Sequence, residues 1–196
     1  ASYWQSSLPE GATSGWGGRM GDLFAAGNGS STFTSIGLNG NAVFLAGKST
    51  SQYQITANGA IAINAIKSGK LAGSAKCSSL LRELMTSPST HLMESEYARI
   101  CTRSIESEAL ASTALAGVSI NTPFDLAATN SLAPQLKMVA NLIGARSALG
   151  AKRQVFMVSL GGFDNHSDLA KLHPALLTKV ASAMASFYKA LEELGV

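Results

Sequence analysis

Cysteine is scarce in this chain, which contains only Cys77 and Cys101. Two thiols are too few for a disulfide framework or for a zinc site made of cysteines. Two possibilities stay open from the sequence: a pair of ordinary, partly buried thiols, or a single disulfide of the kind that an exported protein can form.

Charged residues and long apolar runs are also lacking. Charged residues make up 14% of the chain, and its 15 lysines and arginines are scattered rather than gathered into a stripe, so nucleic-acid binding has little support. The longest apolar runs, AVFLAG and QVFMVSL, have the length of strands and fall far short of the roughly 20 residues of a membrane span. We therefore predict no nucleic-acid partner and no membrane span.

The composition is that of a globular protein. Hydrophobic residues make up 46% of the 196 residues, which is enough for a buried core. No repeat, low-complexity tract or interdomain linker is present, so we predict a single domain over residues 1–196. The chain begins without methionine or a signal peptide and stops within a helical pattern, LEELGV, so we expect it to be truncated at both ends.

The C-terminal third has the pattern of an α/β unit. LAPQLKMVANLIGARSALG carries apolar residues at helical spacing and predicts a helix over residues 131–148. The continuous apolar run RQVFMVSL predicts a central, buried strand of a parallel sheet over residues 153–160. A second helix is predicted over residues 174–194, opening at Pro174. Its apolar stripe consists of Leu177, Val180, Met184, Phe187, Leu191 and Leu194.

The first half of the chain predicts short strands followed by helices. Residues 32–56 contain the strand-like runs TFTSIGL, AVFLAG and YQIT, and the Asn-Gly pair in LNGNA predicts a hairpin turn at residues 39–41. Two helical patterns follow, AGSAKCSSLLRELM, which Pro88 ends, and THLMESEYARICTRSIESEALASTAL. FLAGKST, at residues 44–50, invites comparison with a phosphate-binding loop but lacks the first glycine of that motif.

The stretch LGGFDNHSDLAKLHP, residues 160–174, holds two of the four aspartates and two of the three histidines of the chain. Open α/β sheets bind ligands beyond the carboxyl ends of their strands, which is where this stretch lies. Asp164 and His166 offer an oxygen and a nitrogen that suit zinc, manganese or iron. We expect the two side chains to face a common cleft and to come within about 3–5 Å of each other.

A structural explanation of the same residues stays open. Asp164 can cap a turn through its side chain, and His166 can be a solvated loop residue. His173, which precedes Pro174, has the position of a cap or surface residue rather than of a ligand.

The motif GGFDNH resembles the GGFDTH signature of a bacterial family, the domain-of-unknown-function 1501 family, whose members resemble alkaline phosphatases and sulfatases. The likeness continues through GWGGRMGDLF, FTSIGLNGNAVFLAG, LAPQLKMVANLIGAR, KRQVFMVSLGGFDNHSD and LLTKVASAMASFYKALEELGV. The resemblance implies an α/β fold, a partial alkaline phosphatase-like three-layer sandwich with a mostly parallel sheet flanked by helices, truncated at both ends.

The resemblance also implies a metal site and a location. In that superfamily, a strand ends in a small-residue turn, and an aspartate and a nearby histidine then bind a metal. Asp164 matches the aspartate, His166 is the candidate histidine, and Asn165 stands where the family usually has threonine. Zinc is the expected ion, with manganese or iron as alternatives. Family members typically carry a twin-arginine export signal, so we expect a periplasmic or secreted protein.

Two functions follow as alternatives. The first is a metal-dependent hydrolase whose substrate is an anionic ester of phosphate or sulfate, either a small molecule or a polymer. The second is an exported binding or assembly protein with the same fold and no activity. Other site groups of the family lie outside this chain, so we expect it to be inactive alone. Arg19 is a candidate clamp for an anionic substrate group, with a structural ion pair as the alternative.

Overall fold

The computed structural model describes residues 2–7, 11–127 and 129–196. The chain divides into two compact units. Unit 1 consists of Ala1–Gly59 and Ala114–Val196, and unit 2 consists of Ala60–Thr113. The single domain over residues 1–196 therefore stays a prediction.

A four-stranded sheet organises the described part of the chain. Its strands are β1 (Ser35–Gly37), β2 (Tyr53–Thr56), β3 (Gly59–Ala60) and β4 (Val155–Met157), in the order β3-β2-β1-β4. Strand β1 is parallel to both neighbours, with Ile36 opposite Tyr53 on one side and Phe156 on the other. The predicted fold class is confirmed: the protein is α/β, with a mostly parallel sheet flanked by helices.

Seven helices are described. They are α1 (Ser2–Ser6), α2 (Trp16–Ala25), α3 (Asn64–Lys67), α4 (Ala75–Thr86), α5 (Leu92–Ala116), α6 (Leu132–Gly144) and α7 (Leu169–Glu193), with a 3-10 turn at Val43–Leu45. None of the helices in the described ranges is long and apolar enough to cross a membrane. The helical patterns predicted before and after Pro88 are confirmed as α4 and α5.

The core of unit 1 surrounds β1 and one face of α6. All three residues of β1 are buried, and α2 packs against β1 and β4. Helix α6 packs against α7, where Leu132, Leu136 and Ala183 belong to one apolar cluster. The predicted apolar face of α6 is thus confirmed, although the helix ends at Gly144 and turns fill the remainder of the predicted range.

Strand β4 corrects the prediction for residues 153–160. Pairing covers Val155–Met157 and is parallel as predicted, but β4 lies at the end of the strand order rather than at its centre. The strand is short because the backbone of Ser159 bonds to a side chain of α6 instead of to another strand.

Helix α7 differs from its prediction at its start and in its buried face. It begins at Leu169, because Asp168 adopts a left-handed conformation (φ 54°) and its carbonyl accepts the N–H of Leu172, while Pro174 lies inside the helix. The buried positions are Ala183 and Ala190. Leu177 and Met184 of the predicted stripe are exposed. Val180 and Phe187 of the same stripe are partly buried and pack against the α6 cluster, so that part of the prediction is confirmed.

The segment between β1 and β2 also differs from the sequence expectation. Gly40 has φ +79°, which confirms a turn at residues 39–41, but β1 and β2 are parallel, so this turn does not close a hairpin. Parallel strands require a longer connection, and AVFLAG supplies a 3-10 turn rather than a strand. The other Asn-Gly pair, at residues 58–59, makes the tight turn between β2 and β3.

Candidate functional site

A buried side-chain amide fixes the backbone at the point where the chain leaves β4. Gln135 of α6, only 6% exposed, accepts the Ser159 N–H through Oε1 at 3.0 Å. Its Nε2 donates to the Ser159 carbonyl at 2.9 Å and to the Ser131 carbonyl at 2.8 Å. Gln135 therefore satisfies both backbone groups of Ser159, as a neighbouring strand would, and fixes where the following Gly-Gly turn begins.

The loop after β1 meets the same exit. The Leu38 N–H donates to the Met157 carbonyl at 3.0 Å, and Asn39 Nδ2 donates to Ser159 Oγ at 2.5 Å. Gln52 holds this loop by donating to the Gly40 carbonyl at 2.9 Å. The carboxyl ends of β1 and β4 thus share one polar edge, as the parallel pairing requires.

Residues 161–168 form a loop that closes on the start of α7. Gly162 has φ +94°, a conformation that favours glycine, and its carbonyl accepts a hydrogen bond from Asn165 Nδ2 at 3.0 Å. His173 Nε2 lies 3.4 Å from the Phe163 carbonyl, and the two rings meet edge to face. His173 thus contacts the loop from within α7 and is partly buried.

Asp164 and His166 lie on this loop with their polar atoms close together. Asp164 Oδ1 is 3.7 Å from His166 Nδ1, within the predicted range of separations. The side chains are 96% and 88% exposed, so they point into solvent and the described residues build no cleft walls around them. No third histidine, cysteine, aspartate or glutamate joins them within the described ranges. Their role as metal ligands stays a prediction.

Arg19, in α2, anchors the N-terminal segment. Its Nη2 donates to the Ser6 carbonyl at 2.8 Å and its Nη1 approaches the Ser14 carbonyl at 3.4 Å. In the described part of the chain, its structural contacts are therefore to backbone carbonyls rather than to a carboxylate. Its role in substrate binding stays a prediction.

Backbone N–H groups of the stretch GKST, at residues 47–50, bind the carboxylate of Asp22 in the same chain. The Asp22 carboxylate accepts the N–H groups of Lys48 at 2.8 Å, Ser49 at 3.1 Å and Thr50 at 2.8 Å, and the Ser49 hydroxyl at 2.9 Å. Although burial opposes ionisation, hydrogen bonds from Lys48, Thr50 and Ser49 hold the pKa of Asp22 well below its usual range. The loop therefore serves to fix α2.

A second carboxylate fixes the end of α7. Glu193 accepts the N–H groups of Asn121 and Thr122 at 2.7 and 2.9 Å and the Thr122 hydroxyl at 2.6 Å. The Thr122 hydroxyl and the two N–H groups lower the pKa of Glu193 to about 2. This contact holds the segment that precedes α6 against α7.

Neither cysteine is in a disulfide. Cys77 is an exposed free thiol and Cys101 is a buried one. Of the two possibilities that the sequence left open, the structure shows the pair of ordinary thiols.

Comparison with known protein families identifies a match over almost the whole chain. A family model with the description "Protein of unknown function (DUF1501)" matches residues 4–196. No curated protein and no solved structure matches the chain.

Proposed function

The chain belongs to the family of proteins of unknown function DUF1501, and we propose that it forms one wall of the active site of a metal-dependent hydrolase of phosphate or sulfate esters. Asp164 and His166 hold a divalent cation in this proposal. In this proposal the protein is exported and acts in the periplasm or outside the cell. The family resemblance supports this location.

One observation carries the proposal: the separation of the two candidate ligand atoms. Metal bonds of about 2.0–2.2 Å at a tetrahedral angle place two donor atoms about 3.4 Å apart. Asp164 Oδ1 and His166 Nδ1 are 3.7 Å apart in a loop with solvent access, so a small side-chain rotation brings both to one ion. A carboxylate oxygen with an imidazole nitrogen suits zinc best, and also manganese or iron.

The surrounding residues position this pair. Gln135 fixes the Ser159 backbone, and Asn39 binds the Ser159 hydroxyl, so the loop leaves the sheet edge at a defined point. When bound, the cation would stabilise negative charge on the oxygens of the ester during hydrolysis. A tetrahedral ion needs four ligands, and the described residues bring together two. The 196-residue chain alone is therefore expected to be inactive.

Arg19 enters the proposal as a contact for the anionic substrate group. A guanidinium has five N–H donors, and within the described ranges the contacts to Ser6 and Ser14 use two of them. In the proposal, other N–H groups of Arg19 donate to phosphate or sulfate oxygens.

The test is hydrolysis of p-nitrophenyl phosphate and p-nitrophenyl sulfate by the protein in its natural full length. We expect activity that a chelator removes and zinc or manganese restores. Asp164→Asn and His166→Ala should each lower it at least tenfold. Asp168→Asn is the matched control, because Asp168 lies on the same loop but pairs with Lys171 at 3.3 Å. Equal activity in all variants would exclude the assigned ligands.

A second function is favoured by a different observation. The start of α7 exposes apolar side chains, including Leu169, Leu172 and Leu177. Such surface is typical of protein interaction sites, so the alternative is an exported binding or assembly protein without catalysis. Absence of metal-dependent hydrolysis, together with a loss of partner binding in Leu172→Ser, would support this alternative.

A further inference from the structure

Unit 2 contains a cavity of about 290 Å³ between α3, α4 and α5. We propose that this cavity binds a small amphipathic carboxylate, with its apolar body against isoleucines and its carboxylate on Arg82. This cavity lies outside the 161–168 loop, and its binding of a carboxylate does not depend on the hydrolase function.

The apolar wall of the cavity is formed by four isoleucines: Ile61, Ile63, Ile66 and Ile105. Ile61 and Ile63 are 59% and 36% exposed. They lie two positions apart in an extended segment, so their side chains share one side. Burying these side chains beneath an apolar ligand is favourable, at about 25 cal/mol per Å² of apolar surface removed from water.

The charged groups beside the isoleucines are already satisfied, with one exception. Lys67 Nζ donates to Glu108 Oε1 at 2.6 Å and to Ser112 Oγ at 3.1 Å. The Ser112 hydroxyl donates to Glu108 at 2.6 Å, and these hydrogen bonds lower the pKa of Glu108. Lys67, Glu108 and Ser112 therefore hydrogen-bond to one another, and their charges sum to zero at pH 7. This group has little tendency to bind a charged ligand.

Arg82 is the exception. It is an exposed residue that lines the cavity from α4, and its guanidinium has no hydrogen bond or ion pair with any residue in the described ranges. One unpaired cation beside an apolar wall matches a ligand with one negative charge. A carboxylate fits because it can accept two parallel N–H bonds from a guanidinium. The volume is at the small end of ligand pockets, about 300–1,000 Å³, which favours a short-chain ligand.

The test is an NMR titration of the whole chain, labelled at isoleucine methyl groups, with octanoate. We expect saturable shifts at Ile61, Ile63, Ile66 and Ile105, and weaker binding of octylamine, which has the opposite charge. Arg82→Gln should raise the Kd at least tenfold, since hydrogen bonds to charged groups are among the stronger ones. Ile61→Ser should also weaken binding, and because Ile61 is exposed this variant is expected to fold.

The matched control is Arg99→Gln. Arg99 is an exposed arginine of α5 that pairs with Glu96 at 2.8 Å and does not line the cavity. Its replacement should leave the Kd unchanged. The proposal is overturned if octanoate gives no saturable shift at millimolar concentration. It is equally overturned if Arg82→Gln binds octanoate as well as Arg99→Gln does, or if octylamine binds as tightly as octanoate.

Discussion

Replacing Gln135 by methionine removes the amide that fixes the end of β4 while keeping the length of the side chain. Three hydrogen bonds are lost, two with Ser159 and one with Ser131. At about 1 kcal/mol net for each bond, and more where a backbone group stays buried and unpaired, we expect Gln135→Met to reduce the free energy of unfolding by about 2–4 kcal/mol.

Urea denaturation followed by tryptophan fluorescence measures this change in unit 1, because both tryptophans, Trp4 and Trp16, belong to that unit. With a urea dependence of about 2 kcal/mol per M, the midpoint should fall by about 1–2 M. Gln154→Met is the matched control. The side chain of this half-buried glutamine makes one hydrogen bond among the described residues, to the Phe33 carbonyl at 3.1 Å, and its loss should cost about 1 kcal/mol. Equal losses in the two variants would refute the special role of Gln135.

Three further outcomes follow from close contacts. Gly18→Ala should destabilise unit 1 by about 1–3 kcal/mol in urea denaturation, because its Cβ would lie 2.1 Å from the Ala46 backbone, whereas Gly161→Ala, with open space around it, should be nearly neutral. Asp22→Asn should lower the melting temperature more than Asp168→Asn, since only Asp22 accepts three backbone N–H groups. The pKa of Glu193 is lowered to about 2 in the folded state, so its stabilisation is present above the unfolded value of about 4.3 and is lost as pH falls through 2. Stability measured from pH 6 to pH 2 should therefore fall less steeply in Glu193→Gln than in the wild type, and parallel curves would contradict this.

Local patterns allowed much of the fold to be predicted. Helix α4 was predictable because Pro88 ends its pattern, and α6 because its apolar residues recur at helical spacing over three turns. Parallel pairing of β4 was predictable from the continuous apolar residues VFMV within RQVFMVSL. For α4 and α6 the deciding interactions lie within the helix or on its own surface, whereas β4 pairs with β1, which is distant in the sequence.

Tertiary contacts decided what could not be predicted. The end of β4 depends on Gln135, which lies 24 residues before Ser159. The buried face of α7 depends on Ala183, a residue with little hydrophobic signal of its own. The GKST loop lacks a glycine that a nucleotide-binding loop requires, but nothing local indicated that its N–H groups would bind Asp22.

The sequence predicted the closeness of the two candidate ligands but not their surroundings. The closeness of Asp164 and His166 follows from their spacing on one loop, and the structure gives 3.7 Å between their polar atoms. Their high exposure was not predictable, because it depends on which other segments pack beside the loop. The amides of Asn39 and Gln135 were missed, since asparagine and glutamine are common in loops and on helix surfaces and carry no recognisable motif here.

Metal content is the most direct test of the proposal that Asp164 and His166 hold a divalent cation. The measurement is elemental mass spectrometry on the natural full-length protein, purified without chelators, with Asp168→Asn as the control. We expect bound zinc, manganese or iron in the wild type and in the control, and loss of most of it in Asp164→Asn and in His166→Ala. Unchanged metal content in both of these variants would contradict the metal site and leave the 161–168 loop as the turn that leads into α7.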